Sequence, residues 1–255
     1  MRVTYESLEL PAGSGPPLGA LVVAPAGRAT APGLLFYADI FGRTPPSVRM
    51  MARFAGHGFT VVAPDLYRRR EPAGIALDFT DDYDRAQRDA GATSAADFDA
   101  DRVIALAAIR AHPRVASGPL SATGFCIGGH LALRAAVEAD VRTIVAFYPT
   151  GVHDGSLGAS REVGTLSQMA GSSARLLLAF GANDPHVGAA ARARIGAALG
   201  PESASRRVAL YDGAHAFMRD EGPRYDPAST DAAFAAALAW LYGEADTSSP
   251  RSPSL

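Results

Sequence analysis

The run Gly124-Phe125-Cys126-Ile127-Gly128-Gly129 decides the fold. Before it stands Pro119-Leu120-Ser121-Ala122-Thr123, a length suited to a strand, and after it Ile127 to Glu138 carries Ala and Leu at helical spacing. A Gly-x-nucleophile-x-Gly turn between strand and helix forces its central residue into a strained backbone conformation. Glycines on both sides remove the Cβ clashes of so tight a turn. The central side chain then stands above the sheet, at a helix N-terminus that favours negative charge on it. Here that residue is Cys126, the only cysteine of the chain. Taken alone, the run also reads as a Gly-rich turn around a buried free thiol; the rest of the chain weighs against that.

Outward from this turn, apolar runs alternate with helical patterns. Strands are expected over Val3–Leu10, Ala20–Ala24, Gly33–Tyr37, Thr60–Ala63, Leu120–Thr123, Thr143–Phe147, Arg175–Phe180 and Arg206–Tyr211. Helices are expected over Pro45–His57, Ala96–His112, Ile127–Glu138, Val187–Leu199 and Thr230–Tyr242. The middle strands, such as Leu34-Leu35-Phe36 and Leu176-Leu177-Leu178, are apolar without alternation, as parallel strands covered on both faces are. The first two strands read as an antiparallel edge pair. The pattern predicts a mostly parallel, doubly wound α/β sheet of about eight strands in one domain over residues 1–243. Residues 244–255, with Ser-Ser-Pro-Arg-Ser-Pro-Ser, read as a disordered tail. Two polar segments, Arg68 to Gly91 and Gly151 to Ser173, leave carboxyl ends of strands, where such sheets bind ligands.

Composition narrows the chemistry. The formal net charge of -2 gives no broad attraction to nucleic acid or membrane. No apolar run approaches the ~20 residues that span a bilayer, and one cysteine forms no internal disulfide, so a cytoplasmic location is expected. All 24 basic residues are arginine. That excludes a Schiff-base lysine, a lysine general base and a P-loop lysine. With no CxxC or HExxH motif, the common zinc sites are not expected either. The expected assembly is a monomer or a homodimer.

A cysteine nucleophile needs a base, and the base an orienting acid. Of six histidines, His215 sits directly after the last strand in Asp212-Gly213-Ala214-His215-Ala216-Phe217. His57 and His112 read as helix ends, His130 as structural, and His153 as a loop residue. His186 is the main rival, but it adjoins the best acid, Asp184, in Gly181-Ala182-Asn183-Asp184-Pro185-His186. The order Cys126, Asp184, His215, each after a different late strand, is the nucleophile–acid–base succession of the α/β-hydrolase fold. An oxyanion hole in this arrangement takes the backbone N–H groups of Ile127 and Ile40.

The stretches Asp39-Ile40-Phe41-Gly42, Pro64-Asp65-Leu66-Tyr67, Gly124 to Gly129, Asp184 and Ala214-His215-Ala216-Phe217 together resemble the dienelactone hydrolase family, in order from residue 34 to 219. The resemblance implies hydrolysis of a carboxylate-bearing enol-lactone through a thiol acyl-enzyme, without metal or cofactor. It implies a carboxylate after the third strand that helps control the cysteine's ionisation. The matching position is Asp39, one methylene shorter than the family's glutamate. A shorter reach predicts a weak or water-mediated contact with Cys126; the alternative is that Asp39 caps its loop or pairs with an arginine such as Arg43. The resemblance also implies arginines for the substrate carboxylate: Arg219, four residues after His215, and Arg85 or Arg88 from the acidic loop, with Tyr83 as the nearest aromatic. A fork-shaped guanidinium suits a carboxylate. Two other readings stay open: a broader carboxylesterase or thioesterase on the same three residues, and a non-catalytic member that binds a small carboxylate.

Overall fold

The structure is a computed structural model that describes residues 1–243; the tail expected over 244–255 lies outside the described residues. Eight strands form one sheet: β1 (Val3–Leu10), β2 (Leu18–Pro25), β3 (Gly33–Tyr37), β4 (Thr60–Pro64), β5 (Leu120–Phe125), β6 (Val141–Phe147), β7 (Arg175–Gly181) and β8 (Arg206–Tyr211). Their order is β1-β2-β4-β3-β5-β6-β7-β8. β1 and β2 form an antiparallel pair, β2 meets β4 antiparallel, and the remaining neighbours are parallel. This is the doubly wound α/β-hydrolase architecture, with the strand-order reversal at β3 and β5 opening the crevice where such sheets bind ligands.

The unbroken apolar runs of the middle strands divide by residue parity between two cores. Leu35, Tyr37, Leu176 and Leu178 pack with Phe98, Leu106 and Ile109 of α3 (Ala95–Ala111), Leu131 of α4 (Ile127–Arg134) and Ile195 of α6 (Ala189–Leu199). Leu34, Phe36, Leu177 and Ala179 pack on the other face with Met51 and Phe54 of α1 (Pro45–Gly56) and Phe234 and Trp240 of α7 (Pro227–Tyr242). Period-2 side-chain direction makes both layers from one run.

The helix ends follow their local chemistry. Pro45 opens α1 at a position where its missing N–H costs nothing, α3 starts at a Ser94–Asp97 capping box, and Gly243 closes α7 in the left-handed region. Two helices lie in the segments read as irregular: α2 (Tyr83–Ala92) and α5 (Thr165–Gly171). α4 ends four residues before the expected Glu138, its last turn tightening to a 3-10 turn over Ala135–Val137. In a chain whose only long cations are arginines, the loop after β4 is fastened by guanidinium forks. Arg43 pairs with Asp65 at 2.7 Å, and Arg68 and Arg69 both pair with Asp101 of α3 at 2.7 Å. Among the described residues no helix is long and apolar enough to cross a membrane.

Candidate active site

Cys126 occupies the turn between β5 and α4 at φ 58°, ψ -122°, a conformation that L-residues rarely adopt. The glycines around it serve close approach. A Cβ on Gly124 would lie 2.2 Å from the Gly128 carbonyl oxygen, and one on Gly128 would lie 2.2 Å from that of Ala38. The start of α4 is thereby pressed against the end of β3. The Cys126 N–H donates to Phe147 of β6 at 3.1 Å, which fixes the turn from the other side. Among the described residues four non-glycines have positive φ, and Cys126, Tyr148 and Ala216 are three of them. They stand at the ends of β5, β6 and β8, around one point. Stored backbone strain gathers where geometry has to be imposed.

Asp184 and His215 reach that point from the loops after β7 and β8. His215 Nδ1 and Asp184 Oδ2 lie 2.8 Å apart, both side chains buried. The other carboxylate oxygen accepts from the N–H groups of His186 at 2.7 Å and Val187 at 3.1 Å. Burial works against the charge on Asp184, but the His215 hydrogen bond and these two N–H groups hold its carboxyl below the usual range. Burial also opposes a charged His215. The bonds to Asp184 and then to Cys126 outweigh it and raise the imidazole to about 9. With Nδ1 engaged by Asp184, it is Nε2 that faces Cys126. The rival His186 meets Asp184 only through its backbone; its ring stands edge-on to His215 at 4.6 Å. Burial, then His215 and Arg224, push His186 below its ordinary value.

These residues open into a cleft of about 670 Å³ lined by Cys126, Ile127, Ile40, Asp39, His215 and Arg219 among others. Ile127 is the first residue of α4 and Ile40 lies in the loop after β3; neither N–H makes a hydrogen bond among the described residues. Both residues line the cleft beside Cys126. Asp39 does not reach for the thiol. Its Oδ1 accepts from the Phe41 N–H at 3.0 Å, capping its own loop, while Arg43 is taken by Asp65. Burial raises the Asp39 carboxyl, against the opposing pull of the Phe41 N–H, Arg219 and His215.

Arg219 lines the cleft with its guanidinium 3.9 Å from the centre of the Phe79 ring and 5.5 Å from that of Phe41. Its Nε is buried without a partner. Tyr83, the first residue of α2, also lines the cleft. Arg85 does not. Its Nε and a terminal nitrogen grip both oxygens of Glu71 at 2.7 and 2.6 Å, so the expectation that Arg85 binds substrate gives way to a structural fork holding α2 to the loop after β4. Arg88 is exposed and is not among the lining residues. Sequence reading passed over Phe79, Thr150 and His186 as parts of the wall. Phe79 had one available signal, an aromatic isolated in an acidic run.

A family model, that of the dienelactone hydrolase family, matches residues 18–244. The chain belongs to the dienelactone hydrolase family. It is 32% identical over 243 residues to a carboxymethylenebutenolidase from a Pseudomonas species, covering 92% of this chain and 94% of the relative. A carboxymethylenebutenolidase of Cupriavidus pinatubonensis is 27% identical over 241 residues, 92% of this chain and 96% of that one. Among solved structures, a dienelactone hydrolase-like promiscuous phosphotriesterase from metagenomic libraries superposes with a TM-score of 0.73 at 19% identity, covering 92% of this chain and 96% of that chain. As a member of the dienelactone hydrolase family, the protein is a hydrolase acting on carboxylic ester bonds, lactones included.

Proposed function

We propose that the protein hydrolyses a small carboxylate-bearing enol-lactone through a thioester on Cys126. The observation that carries this reading is the placement of the chain's one thiol at a strained turn, opposite Nε2 of an imidazole whose Nδ1 is bound to a buried carboxylate. His215, raised to about 9 by its bonds to Asp184 and then to Cys126, faces the sulfur and in this scheme takes the thiol proton to give the attacking thiolate. The thiolate attacks the lactone carbonyl carbon, and its electron pair becomes the new C–S bond while the C=O pair moves onto oxygen. The Ile40 and Ile127 N–H groups receive that oxyanion. Collapse breaks the ring C–O bond; the enolate leaves and takes the proton from His215 Nε2. Neutral His215 then removes a proton from water attacking the thioester, and the departing thiolate restores the ion pair. Arg219 supplies the fork for the substrate carboxylate at the Phe79 side of the cleft.

A second reading, a wider range that includes neutral esters, draws support from Asp39. A carboxylate engaged by its own loop leaves the thiol ready without a substrate charge to displace it. Activity of Cys126→Ala tests the chemistry: turnover should fall about a thousandfold or more, and His215→Asn incubated with p-nitrophenyl acetate should carry one acetyl group on Cys126 by intact mass. Full activity in Cys126→Ala sinks the covalent mechanism. Comparison of dienelactone with p-nitrophenyl acetate and simple lactones then separates the two substrate ranges.

A further inference from the structure

The wall of the cleft beside Cys126 holds a hydroxyl that the reaction scheme does not use. Thr150 Oγ1 lies 3.7 Å from Cys126 Sγ, within hydrogen-bond range for sulfur, and Thr150 lines the cleft. Its backbone is held at both ends. The Thr150 N–H donates to the Cys126 carbonyl at 3.3 Å, and the Thr150 carbonyl accepts from His130 Nδ1 at 2.9 Å. His130 is fully buried one helical turn into α4. Its Nε2 meets Thr165 Oγ1 at 2.7 Å, and Thr165 Oγ1 in turn accepts from Arg134, which forks onto Asp99. The Thr150 carbonyl can only accept, so the ring proton sits on Nδ1, and Nε2 of the neutral ring accepts from the Thr165 hydroxyl while that oxygen accepts from Arg134. Burial, despite the Thr150 bond, lowers His130 to about 4 and keeps the ring neutral. A rigid chain of polar groups thus runs from α3 under the turn and ends at the sulfur.

We infer that Thr150 is a catalytic residue whose hydroxyl donates a hydrogen bond to the Cys126 thiolate, and that His130 is the positioning residue that sets it there. The inference rests on Cys126 being the nucleophile. Among the described residues, the charged or titratable groups that interact with Cys126 or share its cleft wall include His215 and Arg219 after β8, His186 after β7, Asp39 after β3, Tyr67 after β4 and Tyr148 after β6. Of these, His215 hydrogen-bonds the sulfur; the Asp39 carboxylate is engaged by Phe41 N–H. Thr150 brings the sulfur a neutral hydroxyl that can donate, where a carboxylate could only accept. A donor stabilises the sulfur where it is anionic: in the resting ion pair, and again when the C–S bond breaks and its electron pair returns to sulfur.

Thr150→Val removes the hydroxyl and keeps the shape. Both backbone bonds of residue 150 survive it, and a methyl group at the oxygen's position makes ordinary van der Waals contact with sulfur. Because Cys126 is the only thiol, its alkylation by iodoacetamide reads one site whatever the protein hydrolyses. In Thr150→Val the alkylation rate at pH 6 should fall about tenfold, the rate–pH profile should move upward, and the two proteins should converge at high pH; the size follows from one hydrogen bond to a charged group. Thr150→Ser should restore the parent profile, and kcat/KM for p-nitrophenyl acetate should follow the alkylation. A Thr150→Val profile that overlays the parent overturns the inference, as does a Thr150→Ser protein that behaves like Thr150→Val, because a retained hydroxyl would then not carry the effect. Failure of the nucleophile reading is seen separately, as activity in Cys126→Ala.

Discussion

Asp184 has both carboxylate oxygens committed, one to His215 Nδ1 and one to the N–H groups of His186 and Val187. In Asp184→Asn the amide oxygen keeps the backbone bonds, and the amide N–H₂ turns to His215. The imidazole must then carry its proton on Nε2 and can no longer take one from water. We expect kcat to drop roughly a thousandfold to ten-thousandfold with the fold retained, and His215→Asn to be at least as severe. Steady-state rates on one ester decide it; if His186→Asn were the damaging change instead, the base would be His186. Arg219→Ala should raise KM about tenfold to a hundredfold for carboxylate-bearing substrates, equivalent to ~1.5–3 kcal/mol, and leave neutral esters nearly unchanged. Equal losses on both would make Arg219 a structural arginine stacked on Phe79. That Cys126, Asp184 and His215 meet at one point could be read from the sequence, because each follows an apolar strand in a fixed order. Arg85 could not, because its role depends on Glu71 across a loop whose path has no periodic signal. Thr150 left no signal at all, since a threonine after a strand is ordinary.

The contact between α4 and the end of β3 leaves no room for a side chain, and Gly128 makes it possible. Adding a methyl group there places a carbon 2.2 Å from the Ala38 oxygen and 2.5 Å from that of Tyr37, both backbone atoms that cannot swing aside. Gly128→Ala should push α4 off the sheet, lowering stability by about 1–3 kcal/mol. Because Cys126 and the Ile127 N–H ride on the same turn, activity should fall further than stability, with folded protein still recovered. Urea midpoints beside kcat check both halves, and a fully active Gly128→Ala would mean the turn tolerates a wider gap. The strands were legible because their apolar runs are bounded by Gly, Pro and polar clusters, and β1, β3 and β8 match the expected ranges. α2 was hidden. Its sequence YDRAQRDAGA buries only Ala86, Asp89 and Ala90, so no apolar stripe marks it, and the forks of Arg85 to Glu71 hold it down in place of a hydrophobic face. α5, with Thr165 and Met169 alone buried, is equally faint to a pattern search.

Two buried histidines give the protein's pH dependence opposite slopes on either side of pH 6.5. His215 is raised from 6.5 to about 9, so the stability it contributes is complete below about 6.5 and is lost as pH climbs through about 9. His130 is lowered from 6.5 to about 4, so its contribution is complete above about 6.5 and is lost as pH falls through about 4, when the unfolded chain takes up a proton that the buried ring refuses. Neither slope belongs to the surface ion pairs, which are worth little and are screened by salt. The protein with one histidine altered should therefore lose one limb only. Measured as the difference from the parent in urea unfolding free energy against pH, His130→Gln should change most steeply between about pH 4 and 6.5 and be flat above. Gln can still accept from the Thr165 hydroxyl, so the fold has a partner for that group. His215→Asn should be flat below about 6.5 and change through about 9. Cys126→Ala should show a weaker form of the His215 effect, because Cys126 supplies part of the rise and Asp184 the rest. If Cys126→Ala left the alkaline limb unchanged, the charge on His215 would be held by Asp184 alone, and the sulfur would not be its ion-pair partner.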